Sequence, residues 1–439
     1  MRIDKKSWLT VIITTLMIVC SQLTLQLHSN IAANGSAKIY LIEIIIFIWS
    51  IWIIGWRIIL QKKFKQLPLL AKINLILLII FIFYYLSTMI YHCWQHMPLT
   101  SSFYLARIMI EMCCVVIIIS YYQVNALDVF TGALIAIFIG TIGQYITLFF
   151  GNGDLRGGTV NILNNSVTMY TCQILLIPSM IYYSQQVLPK WLHYLNYVTL
   201  LLIWPTLLLT GSRMALPLGI LVLVLSLLLF AHHLKSFLKI LGSSLITLGV
   251  ALVLITNFCG VVNRNNLERA VYEPVTIYNK ITPSTLHLHM NQLLHINENQ
   301  NKKAADKTIK VSNDMRKIIN NKAINIITKN PQNLWFGIGM SSVYTHHWGY
   351  QKPHNLFLLF LLPFGIIGLI ICYLIILMPI IISIIIKKYR QPQHVFLALM
   401  TLIPVLIIST SQPTLGVLVI NLMVISLMSS IINNKKTCD

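Results

Sequence analysis

Residues 355–386 read NLFLLFLLPFGIIGLIICYLIILMPIIISIII, a run without a single charged side chain. About 20 helical residues cross the ~30 Å apolar core of a bilayer, so this run exceeds one straight span. Pro363, Gly365 and Gly368 near its start predict a short helix that breaks and then crosses. Outward from it, comparable apolar segments lie at 8–26, 39–60, 69–91, 103–122, 128–150, 166–184, 193–209, 214–231, 240–259, 394–411 and 415–432. Composition agrees: 57% of the 439 residues are hydrophobic and 10% charged, where a soluble domain carries about 25% charged residues. A soluble globular protein and a disordered chain are both excluded. The expected fold is an all-α integral membrane protein of about twelve transmembrane helices with one large loop domain. After the first segment, Ser21 to Leu27 offers no small-residue cleavage site, so that segment reads as a retained helix.

Charge orients the spans, because basic residues accumulate at cytoplasmic ends. Arg2, Lys5 and Lys6; Lys62, Lys63 and Lys65; Lys190; Lys235 and Lys239; Lys387, Lys388 and Arg390; and Lys435 and Lys436 all fall on one side of a twelve-span chain. Both termini are therefore expected in the cytoplasm. The formal net charge of +21 is largely this topological signal, and nucleic acid is not the expected partner.

The division of the chain follows. Residues 1–259 carry spans one to nine, 260–354 form a large outer loop, and 355–439 carry spans ten to twelve. The loop holds twelve Lys or Arg against five acidic residues, which suits phosphate head groups or an anionic substrate arriving from the lipid. Within it, Met315, Ile318, Ile319, Ala323, Ile326 and Ile327 recur at helical spacing. They predict an amphipathic helix over about 314–329, ended by Asn330-Pro331. Trp335-Phe336-Gly337-Ile338-Gly339 then reads as a tight apolar turn.

Four groups collect on the outer side. Thr210-Gly211-Ser212-Arg213 interrupts the apolar stretch 193–231. Its arginine is either a turn residue reaching the head groups or an anion-binding guanidinium at membrane depth. His354, between Pro353 and Asn355, is either a polar residue at a helix start or an acid–base group. Arg316, beside Lys317, belongs either to a solvated face or to a second anion contact. The connector 151–165, with Arg156, Asn161 and Asn164 among glycines, is either a turn or a set of donors for sugar and phosphate.

Other residues carry less. His287, His289 and His295 lack the frame and the carboxylates of a metal site. The eight cysteines show no ligand spacing, so neither a disulfide framework nor a zinc site is indicated. Arg107 and Glu111, four apart, are expected to pair with each other, and Glu43 is a further charge inside an apolar segment. No Walker sequence, dinucleotide fingerprint or G-x-S-x-G elbow is present, which disfavours an ATP-driven pump.

His354-Asn355, nine residues and then Gly365-Ile366-Ile367-Gly368 match the pattern H-[N/S/Q]-x9-G-x-x-[G/T/Y]. On this pattern the chain resembles the bacterial O-antigen ligases and their relatives in the ligase/polymerase superfamily. Thr210-Gly211-Ser212-Arg213 resembles the family's outer-face S-R motif. The Arg316 helix with its Asn-Pro end and G-x-G turn resembles the segment before the family histidine. Arg156-Gly157-Gly158 with Asn161 and Asn164 resembles an upstream R-x-G…N-x-N stretch. The spans and the single large loop extend the resemblance over nearly the whole chain.

The resemblance implies a GT-C-like glycosyltransferase of the bacterial inner membrane, with its active site facing the periplasm. Its donor would be a glycan on undecaprenyl diphosphate, its acceptor a sugar of lipid A–core, and no cofactor or metal would take part. Arg213 and Arg316 would hold the diphosphate leaving group, and His354 would accept the proton of the acceptor hydroxyl. Arg264 and Arg269 remain alternatives for the second arginine. Arg156, Asn161, Asn164, Ser212, Asn355, Gly365 and Gly368 would line the substrates. An O-antigen polymerase is the competing activity, followed by a protein O-oligosaccharyltransferase and, from another class, a polysaccharide flippase or transporter.

Overall fold

The computed structural model describes residues 5–19, 24–27, 37–61, 63–94, 100–150, 166–212, 214–231, 233–258, 267, 314, 316–338, 355–386, 391–410 and 418–433. Each of the twelve apolar stretches holds a helix. These are α1 (Lys5–Val19), α2 (Leu41–Ile51, continued by a π-helical segment Trp52–Leu60), α3 (Leu69–Trp94), α4 (Thr100–Tyr122), α5 (Ala126–Phe150) and α6 (Ser166–Ser184). Then follow α7 (Lys190–Leu209), α8 (Ala215–Phe230) and α9 (Leu234–Phe258). In the former loop region lie α10 (316–329) and α11 (Pro331–Phe336), and the chain closes with α12 (Leu356–Ile385), α13 (Pro392–Ser409) and α14 (Leu418–Asn433).

Seven of these, α3, α4, α5, α7, α9, α12 and α13, are long and apolar enough to cross a membrane. Their surfaces fit that solvent. Helix α3 buries Leu70, Leu78, Phe81 and Tyr85 while exposing Ile76, Ile79, Phe83, Leu86 and Ile90. An apolar face turned outward over the length of a helix belongs against lipid. The protein is an α-helical membrane protein.

One local departure from the sequence expectation and one addition to it have physical causes. The first apolar segment, read as 8–26, ends as a helix at Val19, and Thr24–Leu27 instead pairs antiparallel with Ala37–Tyr40. Thr-Leu-Gln-Leu alternates polar and apolar, the period of a strand, so the fold is not wholly α. Arg107 pairs with Glu111 as expected, at 3.8 Å, and stands closer still, at 3.0 Å, to Glu43 on α2. Both carboxylates are fully buried, and charges in an apolar bundle persist where they are paired.

The chain divides into two compact units. The first comprises 1–11, 130–313 and 400–404, and the second 12–129, 314–399 and 405–439. In the first, α6, α7 and α8 pack together around buried polar groups. Gln173 on α6 sits with its Nε2 3.1 Å from Thr141 Oγ1, 2.9 Å from Gln144 Oε1 and 3.0 Å from Thr206 Oγ1. Asn196 on α7 donates to the Met180 carbonyl at 2.9 Å. Such bonds specify which apolar helices neighbour each other, because lipid tails compete equally for plain apolar contact. In the second unit, α3 lies against α4 and α12, α4 also packs on α2 and α14, and α11 lies against α12.

Candidate functional site

Five of the expected site residues, His354, Arg213, Arg156, Asn161 and Asn164, lie outside the described residues, as do the alternatives Arg264 and Arg269. Arg316, Ser212, Asn355, Gly365 and Gly368 are described. All of these except Ser212 belong to the second unit.

Ser212 follows Gly211, which ends α7 with φ +61°. Thr210 is buried and its hydroxyl donates to the Leu207 carbonyl at 2.8 Å. The Ser212 carbonyl accepts the Ala215 N–H at 3.2 Å, opening the turn that leads into α8. The turn is thus anchored by Thr210 one helical turn beyond Thr206, the residue that Gln173 holds.

In the second unit, Arg316 opens α10 on the side that buries Ile319, Ala323 and Ile327. It is half-buried, whereas Lys317, Lys322 and Lys329 are exposed. The solvated face of this helix therefore belongs to the lysines and not to Arg316. Asn330 ends α10 and caps α11: its side chain accepts the Gln332 N–H at 3.0 Å, with Pro331 in the first turn. Asn333 Nδ2 reaches back to the Ile326 carbonyl at 3.4 Å, tying α11 to α10.

The chain then locks onto the start of α12. Asn355 caps that helix, its Oδ1 accepting the Phe357 N–H at 2.8 Å and the Leu358 N–H at 3.4 Å. Nine residues of apolar chain later, Gly365 leaves helical geometry at φ +62°, ψ −170°. That break frees carbonyls that an intact helix would use. The Leu362 carbonyl accepts the Ile338 N–H at 2.8 Å. The Phe364 carbonyl accepts the Tyr84 hydroxyl of α3.

Glycine is required on both sides of this joint. Gly337 has φ +78°, and a Cβ there would stand 2.5 Å from the Pro363 carbonyl carbon. A Cβ on Gly365 would meet the Trp335 carbonyl and stand 2.5 Å from the Gly337 nitrogen. The two backbones pass each other with no room for a side chain. Gly368, one helical turn beyond Gly365, is covered by the Tyr84 ring, whose Cε1 would lie 2.7 Å from an added Cβ. The spacing G-x-x-G thereby has a packing meaning: one glycine breaks the helix, the next admits Tyr84.

The sequence reading missed Tyr84 and Tyr91, whose hydroxyl donates to Gln332 Oε1 of α11 at 2.9 Å. Their signal was available in part, since a tyrosine in an apolar span needs a partner for its hydroxyl. Which partner was beyond reach, because it lies far along the chain. Aromatic contacts reinforce the joint: Phe364 meets Phe81 and Tyr85 edge-on, with centroids 5.8 and 6.2 Å away.

The Asn355 cap yields a first prediction. Asn355→Ala is expected to lower stability by about 1 kcal/mol, read as a lower thermal midpoint of the detergent-purified protein. Ser or Asp at 355, which also accept the N–H groups, should restore it. An Ala variant with an unchanged midpoint would remove the cap from the account.

Among the described residues no group of three or more His, Cys, Asp or Glu side chains is arranged to hold a metal. A comparison with curated proteins returns no match. A family model described as O-antigen ligase matches residues 198–373. That segment runs from within α7 to within α12 and contains the Thr210–Arg213 turn, α10, α11, His354 and both glycines of the joint. Over residues 198–373 the chain is similar to the O-antigen ligase family.

Proposed function

We propose that the protein is an O-antigen ligase, transferring a glycan from undecaprenyl diphosphate to a sugar hydroxyl of lipid A–core. It works at the periplasmic face of the bacterial inner membrane, with twelve spans, both termini in the cytoplasm and residues 260–354 outside. One observation carries the reading. The segment bearing Arg316 and the helix that begins directly after His354 are joined backbone to backbone at Gly337 and Gly365, inside the stretch that matches the family.

The chemistry suits these groups. As the sugar–phosphate bond breaks, negative charge grows on the diphosphate, and fixed guanidinium groups stabilise it more in the transition state than before. Arg213 and Arg316 take this role. His354 accepts the proton of the acceptor hydroxyl as its oxygen attacks the anomeric carbon. The diphosphate is a good leaving group, so the reaction calls for no nucleotide and no metal. Arg156, Asn161, Asn164, Ser212 and Asn355 contribute hydrogen bonds to sugar or phosphate, while Gly365 and Gly368 give the site its backbone shape.

The test is genetic. Deletion of the gene is expected to leave uncapped lipid A–core and to accumulate lipid-linked glycan, seen on a lipopolysaccharide gel and in the lipid extract. Core carrying one repeat unit would instead identify a polymerase. Unaltered lipopolysaccharide would reject both.

A further inference from the structure

The break in α12 has a filler. In an unbroken helix the Phe364 carbonyl and the Gly368 N–H would pair as one i→i+4 rung. Gly365 interrupts that stretch with φ +62°. The Tyr84 hydroxyl donates to the Phe364 carbonyl. Its ring lies against Gly368, where no Cβ intervenes. A side chain inserted into the helical ladder is a recognised cause of a sharp kink, and buried backbone groups left without partners are costly.

We propose that Tyr84 is a positioning residue, whose hydroxyl splices the break by taking up the freed Phe364 carbonyl and so sets the direction of the α12 segment that begins directly after His354. The same break frees the Leu362 carbonyl for Ile338, so the splice also sets how the Arg316-bearing α10 and α11 meet α12. Helix α3 anchors that assembly twice, through Tyr84 on α12 and through Tyr91 on Gln332 of α11. The proposal rests on the reading of His354 and Arg316 as transfer residues.

Tyr84→Phe removes the hydroxyl and keeps the ring over Gly368. The assay uses proteoliposomes of the full chain, with uncapped lipid A–core and undecaprenyl-diphosphate-linked glycan taken from the deletion strain. Tyr84→Phe is expected to lower kcat about tenfold, the size of one buried hydrogen bond, with KM for both substrates within about twofold. Hydrogen exchange over 362–368 and 331–338 should quicken in the same variant, while the other spans keep their protection. Wild-type kcat with unchanged exchange would overturn the proposal, as would an effect confined to KM, which would make Tyr84 a substrate contact. Should Tyr84→Phe fail to fold, Gly368→Ala replaces it, because its Cβ would run into both the Tyr84 ring and the Phe364 Cβ beside the freed carbonyl, and the same split is expected. Unchanged kinetics there overturn the proposal. His354→Ala runs alongside. An active His354→Ala defeats the transfer reading itself, whereas an inactive one beside a wild-type Tyr84→Phe defeats only the positioning role.

Discussion

His354→Ala is expected to lower glycan transfer by about 10²–10⁴-fold, the usual contribution of a positioned general base. A sugar hydroxyl is a weak nucleophile until its proton is taken, and an imidazole is the side chain best suited to take it at neutral pH. Removing it leaves the arginine charge that steadies the departing diphosphate, so a residual rate above background should persist. His354→Gln, which keeps a hydrogen-bonding amide but cannot carry the proton, should behave like the alanine variant. The readout is the fraction of core that becomes capped in the deletion strain, with membrane levels of each variant measured in parallel. Normally capped core at wild-type expression would falsify the proton-acceptor role. Loss of capping that the glutamine variant restores would assign His354 to hydrogen bonding alone.

Gly365→Ala should act through structure instead of chemistry. At φ +62°, ψ −170° an L-residue with a Cβ is strained, and the added carbon would run into the backbone of Trp335 and Gly337. Backbone cannot swing aside as a side chain can. The combined strain and overpacking amount to about 3–5 kcal/mol. The helix then either straightens, expelling Trp335–Gly337 from the joint, or the protein loses its fold. Thermal denaturation of the detergent-purified variant should show a markedly lower midpoint, and capping should be lost with it. Gly337→Ala is the reciprocal variant and should match it in size, since its Cβ meets Pro363 and Phe364 in the same crossing. A Gly365→Ala protein with wild-type midpoint and activity would show that the interlock does not hold this joint together.

What could be read from the chain alone follows from the solvent. Composition within a window of about 20 residues decides whether a segment enters lipid. Each of the twelve apolar stretches accordingly holds a helix, and the excess of Pro and Gly near 363–368 foretold the break in α12. Asn330-Pro331 was likewise legible as a helix boundary, being local cap chemistry. The family motif around His354 and Gly365 was legible because its residues lie within one short segment.

Partnership was not legible, because it depends on which helices become neighbours. Arg107 has an evident local partner in Glu111, yet Glu43 on another helix stands closer to it. Gln173 gave no hint that it would gather Thr141, Gln144 and Thr206, and Tyr84 gave none that it would serve a break on α12. The spacing of Gly365 and Gly368 was visible as a pattern, but its cause was not, since it lies in a loop turn and a tyrosine brought there by folding. Sequence by itself determined the membrane class, the helices and the candidate chemistry, all of which depend on local composition and short motifs. Tertiary structure alone decided the polar pairings and the glycine crossing, because buried backbone and charged groups must find partners wherever the packing places them.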